Sequence, residues 1–240
     1  EIIDDPAWRQ LAEAGMGMTF HIPTVRQETP GLEVVHEEFE ESGRKLRRAI
    51  RRTPVGEIYA TWEGHWNRDF LLKSADDYRV MTWIARHTTV EPAYDAYERR
   101  VAGMPAWQAP LAMHSRTPYQ SMLVDLAGLE AFAYHQAEFP EVVDELYDAL
   151  LQLMRRRNEL IAAGPGEFVC ILENFTAETV GAARFEKYHM PVYDELVPQL
   201  HDAGKVVGVH YDGKTKGVVE QFGRSPVDCI ESLTLPPEGD

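Results

Sequence analysis

Gly204-Lys-Val-Val-Gly-Val-His210-Tyr-Asp212-Gly213 is a short apolar run that stops on a histidine and an aspartate. Val206, Val207 and Val209 are too continuous for a strand with one wet face, and such a run suits a parallel sheet covered on both faces. His210 and Asp212 then stand at the strand's carboxyl end, where parallel sheets and barrels bind ligands and do chemistry. Upstream, Glu167-Phe-Val-Cys-Ile-Leu-Glu173-Asn174 is again apolar until it ends on a carboxylate and an amide. Downstream, Val227-Asp-Cys-Ile-Glu231-Ser-Leu233 follows a helix predicted over residues 214–222. Strand, helix, strand, helix, strand with short connections predicts right-handed βαβ units in a parallel sheet.

The rest of the chain is read outward from this unit. Asp5 and Pro6 predict the N-cap and first turn of a short helix through Trp8 and Leu11. Residues 32–62 alternate apolar and charged positions and are broken at Ser42-Gly43 and Thr53-Pro54-Val55-Gly56, which predicts an antiparallel meander inserted ahead of the βα part. The basic run Arg44 to Arg52 reads as a solvated strand face or a docking surface for an acidic partner. Helices are predicted from Ser74, over 92–101, 119–126, 129–136 and 140–161, with a short strand at 110–113 ending on His114. The last helix is acidic at its start and carries Arg155 to Arg157 later, an order that complements a helix dipole.

Composition bounds the function. The chain has 240 residues, 44% hydrophobic and 10% aromatic, enough for one α/β domain with a sizeable core. A net charge of −15 from 39 acidic and 24 basic residues opposes nucleic-acid and anionic-membrane partners, which are held by Lys and Arg. Cys170 and Cys229, both inside predicted strands, read as reduced core thiols of a cytoplasmic protein. The sequence reads as carrying no signal peptide, and it contains no apolar run of membrane-spanning length. Met16-Gly17-Met18 lacks the strand and helix of a phosphate-binding loop, and no nucleophile elbow is present.

Over roughly its second half the sequence resembles the uroporphyrinogen decarboxylase superfamily, which includes zinc-dependent methyltransferases that work with corrinoid proteins. The resemblance rests on Pro140-Glu141-Val142-Val143, on a strand ending at Glu173, on Phe185 and Tyr188 leading to Pro191, and on His210 to Gly213 as a His-x-x-Gly. It implies a (β/α)8 barrel spanning 1–240 as a single domain, with 32–62 as the insertion and 105–240 as the βα-repeat part. Members begin with a strand ahead of the helix at Trp8 and run beyond Glu231, so the barrel is expected to be incomplete at both ends of this chain. Homodimerisation is implied at the family level.

For function the resemblance implies two enzymatic readings. Zinc methyltransferases of the family carry His-x-Cys and a distant Cys, whereas this chain has His210-Tyr211-Asp212. An oxygen ligand in place of a thiolate suits oxygen-bearing substrates better than thiols. The resulting expectation is a corrinoid-linked methyltransferase acting on a small methylated donor. In it His210 and Glu173 are catalytic, His210 and Asp212 hold zinc, and Asn174, Tyr211, Arg26 and Glu231 bind substrate. The cofactors would be zinc and a cobalamin carried by a partner protein. A decarboxylase of porphyrinogens needs an arginine-rich loop to grip several carboxylates, and the chain offers only Val25-Arg26-Gln27-Glu28. A non-catalytic small-molecule-binding barrel is the third reading. Each site residue also fits a structural role: His210 as a buried histidine bonded to backbone, and Asp212 before Gly213 as a turn or helix cap.

Overall fold

The computed structural model describes residues 6–240; Asp5, expected as an N-cap, lies outside them. A short helix α1 (Pro6–Glu13) leads into β1 (Met18–Ile22) and β2 (Val25–Glu28). The inserted sheet follows: β3 (Glu33–Glu41), β4 (Arg44–Thr53), β5 (Gly56–Glu63) and β6 (Trp66–Asp69). Then come α2 (Ala75–His87), β7 (Thr89–Pro92), α3 (Tyr94–Ala102) and β8 (Gln108–His114). Helices α4 (Pro118–Ser121), α5 (Leu129–Glu138) and α6 (Pro140–Ala163) precede β9 (Phe168–Ile171), and α7 (Ala177–Arg184) and α8 (Met190–Asp202) precede β10 (Val206–His210). The four-residue α9 (Val219–Phe222) precedes β11 (Cys229–Glu231).

Five strands form one sheet in the order β1-β8-β9-β10-β11, every neighbouring pair parallel. Spatial order follows chain order, so each crossover returns beside the strand before it. This is an α/β fold with five parallel strands; the described residues do not make eight, and the sheet does not close. It is nevertheless rolled. In a flat sheet β1 and β11 would be about 19 Å apart, four spacings of about 4.8 Å, yet ligand atoms of His21 on β1 and Glu231 on β11 lie within 4.8 Å of each other.

The register sorts the side chains into two faces. In parallel strands paired residues point the same way, and the direction alternates along each strand. Ala112 pairs with Val169, Val169 with Val207, and Ile171 with Val209. These five are at most 1% exposed and form the convex face, in the same core as Leu146, Met154 and Ile161 of α6 and Leu196, Val197 and Leu200 of α8. The concave face carries His21, Cys170, Gly208, His210 and Glu231. The expectation of a sheet covered on both faces is therefore corrected: Phe168 and Val206, paired on the concave face, are 47% and 39% exposed. The valine run of β10 is explained by one buried face plus a rolled, partly open one.

Several predicted boundaries shift for local reasons. The insertion is a four-stranded antiparallel sheet running to Asp69. It does not end at 62, because Glu63 and Trp66 close one more hairpin around Gly64, which has φ +59°. Ser42 and Gly43 both have positive φ, as a two-residue hairpin turn of the I′ kind requires. The arginines of β4 meet acidic neighbours, Arg52 with Glu33 (3.7 Å) and Glu57 (3.2 Å), Arg44 with Glu63 (3.3 Å) and Arg48 with Glu37 (3.9 Å). Helix α3 starts at Tyr94 rather than at residue 92, since Pro92 ends β7, a position where a missing N–H is tolerated. Arg155 to Arg157 fall two turns before the end of α6, beyond the range of the dipole. Arg155 instead makes a two-pronged pair with Glu195 of α8 at 2.5 and 2.7 Å.

The helix expected over 214–222 is reduced to a 3-10 turn, Lys216–Val218, and the short α9. Gly217 is held so close to α7 that a Cβ would lie 3.0 Å from that of Ala177, and the carboxylate of Asp240 accepts from the N–H groups of Thr215 and Lys216. Cys170 is buried as expected, but Cys229 is exposed on the edge strand β11.

The loops after β9 and β10 pack backbone against backbone. Ala177 N–H donates to the Lys214 carbonyl (2.7 Å), and a Cβ on Gly213 would meet Thr176 Cβ at 2.6 Å and the Phe175 carbonyl at 2.7 Å. We expect Gly213→Ala to push these loops apart and cost about 1–3 kcal/mol, the range for overpacking; the shift of the urea midpoint measures it.

Candidate functional site

A continuous line of polar side chains runs across the carboxyl ends of four adjacent strands. After β8, Arg116 donates to Asn174 Oδ1 and, at 3.4 Å, to Asp125. After β9, Asn174 Nδ2 donates to Asp212 Oδ2 at 2.7 Å. After β10, the Asp212 carboxylate lies 3.8 Å from His210 Nε2. His210 Nδ1 bonds to Glu231 Oε2 at the end of β11, and Ser232 Oγ donates to Glu231 Oε1 at 2.8 Å. The ladder itself extends to these residues: Asn174 N–H donates to the His210 carbonyl and Tyr211 N–H to that of Glu231, both at 3.0 Å. Asn174 and Ser232 adopt left-handed backbone, φ +47° and +66°, a conformation retained where surrounding contacts over-determine it and common at ligand sites.

The line is partly accessible. The His210 side chain is 20% exposed, Glu231 30%, Arg116 20% and Asp212 42%. Glu231 is held below the usual carboxylate range: burial would raise it, but hydrogen bonds from His210 and Ser232 outweigh that. Glu231 therefore accepts as a carboxylate, Nδ1 carries the proton, and Nε2 is the nitrogen left facing Asp212.

Glu173 sits just beneath and is sealed from solvent. One carboxyl oxygen accepts from the Thr117 N–H and hydroxyl, both at 3.2 Å, and the other from Tyr193 Oη at 2.8 Å. Tyr193 and Tyr211 share a 2.9 Å hydrogen bond, and burial holds both phenols far above their ordinary value. Burial also pushes Glu173 up to about 7, against the lowering effect of Tyr193 and Thr117. It links the loops after β8 and β9 to α8 and holds a proton near neutrality.

The predicted residues separate accordingly. His210, Asp212, Asn174 and Glu231 come together. Glu173 and Tyr211 lie directly behind them, fully buried; the Tyr211 side chain turns in to Tyr193 and stacks on Phe175 at 4.7 Å. Arg26, expected to bind substrate, is on β2 and pairs with Glu91 of β7 at 2.6 Å on an exposed surface. His114 is buried on the convex face and pushed down to about 3 by burial and Arg157.

As zinc ligands, His210 and Asp212 supply two donors. They do not by themselves fit the tetrahedral set that zinc takes. Among the described residues a group of three donors lies elsewhere on the concave face: His21, Cys170 and Glu231, all ligand atoms within 4.8 Å of one another. Burial lowers the His21 imidazole and pushes the Cys170 thiol up to about 12. His21, Cys170 and Arg116 escaped sequence reading. Cys170 was visible only as a core residue, and Met18-Thr-Phe-His21-Ile22 is too short and mixed to announce a strand. No protein-family model matches the chain, and no curated protein matches it.

The pH dependence of Glu173 gives a test. Between the ordinary carboxylate range and about pH 7 the folded chain keeps a proton that the unfolded chain has released. The group's stabilising contribution is therefore whole below about pH 4.5 and is lost as pH rises through 7. Glu173→Gln should gain thermal stability relative to the parent as pH rises from about 5 to 8, by a few kcal/mol at most. A melting-temperature difference that stays flat over this range contradicts the assignment.

Proposed function

We propose that the chain is the catalytic α/β domain of a small-molecule methyltransferase that works with a corrinoid protein, built as part of a (β/α)8-type barrel. The observation that carries the reading is the His210–Glu231 pair at the rolled strand ends, with the Nε2 of His210 left free beside Asp212. An imidazole whose tautomer is set by a carboxylate is the arrangement of a general acid–base group. When a methyl group leaves an ether oxygen or an amine nitrogen for the corrinoid partner, the carbon–heteroatom bond breaks and the leaving heteroatom needs a proton. His210 Nε2 supplies it, and Asp212 stabilises the imidazolium form that precedes transfer. Asn174 and Arg116 orient Asp212 and line the mouth; Glu173 is a positioning residue that fixes the loops. No step is assigned to zinc, since His210 and Asp212 alone do not make its site.

The charge pattern favours this over decarboxylation of a polycarboxylate. Arg26 is tied to Glu91, and Arg116, which reaches the strand ends, is committed to Asn174 and Asp125. A substrate with several carboxylates needs several free cationic forks.

The test mixes the full chain with reduced cobalamin and a panel of methyl ethers and methylated amines, following the corrinoid spectrum. The expected result is methyl transfer from at least one donor, reduced about 100-fold or more in His210→Ala and less in Asp212→Asn, in the range of positioned acid–base groups. Unchanged transfer in a folded His210→Ala variant removes the histidine from the chemistry. Carbon dioxide release from a polycarboxylate in place of methyl transfer favours the decarboxylase reading, and tight donor binding with neither reaction favours a binding protein.

A further inference from the structure

The concave face holds a donor set that the acid–base chemistry does not use as such. Cys170 on β9 is 1% exposed and points to the same side as His21 on β1 and Glu231 on β11. Their ligand atoms lie within 4.8 Å of one another. The Nε2 of His21 is buried and has no hydrogen-bond partner. A buried ring nitrogen left unpaired is costly and rare, and calls for a partner. At the level of Cys170, the paired residue on β10 is Gly208, so β10 puts no side chain between Cys170 and β11, where Cys229 is in register on the same face.

We propose that His21, Cys170 and Glu231 bind a divalent cation of the zinc class, with one coordination position open toward the strand-end mouth. One imidazole, one thiolate and one carboxylate are a borderline set: calcium and magnesium take oxygen ligands, whereas mixed nitrogen, sulfur and oxygen donors select zinc-like ions. Around a tetrahedral ion with bonds of about 2.0–2.3 Å the ligand atoms stand about 3.4–3.7 Å apart. The ligand atoms of the present cluster, within 4.8 Å of one another, are at most a little wider than that spacing. Three protein ligands and a fourth open position are the pattern of catalytic rather than structural zinc.

An outer shell is already in place. Glu231 receives hydrogen bonds from His210 on one oxygen and Ser232 on the other, the kind of support that orients a ligating carboxylate. The site draws its His and Cys from β1 and β9, away from the His210–Asp212 pair, and shares Glu231 with the acid–base site, since Glu231 is in register with His210 and bonded to it. It does not rest on the methyl-transfer reading, because it is measured with no methyl donor present.

The full chain, stripped with a chelator and dialysed, would be titrated with zinc alone and then with cobalt(II), reading metal content and visible absorption. We expect close to one ion per chain and a thiolate-to-cobalt charge-transfer band. Cys170→Ser should abolish that band and weaken zinc binding by more than about 100-fold, beyond the 10–100-fold typical of losing an outer partner. His21→Gln should weaken zinc similarly while its metal-free melting temperature stays at the parent's value, which separates ligation from folding. Cys229→Ser should keep both ion and band. Absence of zinc retention by the parent overturns the proposal. So does a band lost in Cys229→Ser but kept in Cys170→Ser, or zinc lost in Asp212→Asn and kept in Cys170→Ser, which would place the ion at the strand-end pair.

Discussion

Neighbouring parallel strands are held about 4.8 Å apart by their hydrogen bonds, so the two edges of a five-stranded sheet meet only where the sheet is rolled. His21 on β1 and Glu231 on β11 do meet, and the donor group that they form with Cys170 depends on that curvature. Its cause lies on the other face. Ala112, Val169, Ile171, Val207 and Val209 give the convex side a continuous apolar surface, in one core with side chains of α6 and α8. Helices packed on one face of a right-twisted sheet leave the opposite face as a trough. The trough carries Gly208 where a Cβ would meet Cys229 Sγ at 3.0 Å, so a bulkier residue there would force the strands to flatten or shift.

The second constraint is the buried carboxyl of Glu173. Strand ends are fixed by the ladder, but the loops beyond them are not, and function needs the loop residues Arg116, Asn174 and Asp212 in one line. Glu173 accepts from Thr117 and Tyr193, and Tyr193 bonds to Tyr211, so one group ties the exits of β8, β9 and β10 to α8. A buried carboxyl with three donors is stable in this place because its hydrogen bonds compensate for desolvation. The same burial moves its protonation toward neutral pH. The exposed line above it is left free of that structural duty and can face a ligand.

Much of this was legible in the residues. A strand that is apolar until it ends on His210, and another until Glu173, announce a parallel sheet with chemistry at its carboxyl edge, because buried strands tolerate polar side chains only where they emerge. The meander was visible from alternation and from Ser42-Gly43. Nothing in Val25-Arg26-Gln27-Glu28 says that β2 leaves the main sheet to pair with β7. Nor does the sequence around His210 say that the Tyr211 side chain turns in to Tyr193. His21 was missed because its strand is short and shows its partner, β8, only in three dimensions.

What the sequence determined by itself is therefore the local material: the longer helices, the meander and the apolar strands that emerge on polar residues, and a charge unsuited to polyanions. These follow from periodicity, propensity and composition, which act over a few residues or over the whole chain. The tertiary structure alone decided which polar residues share a site. Register sets the face each side chain takes, and curvature brings β1 to β11. Both are sums over contacts between residues distant in the chain, so a histidine at position 21 can face a glutamate at position 231 without any signal in either neighbourhood.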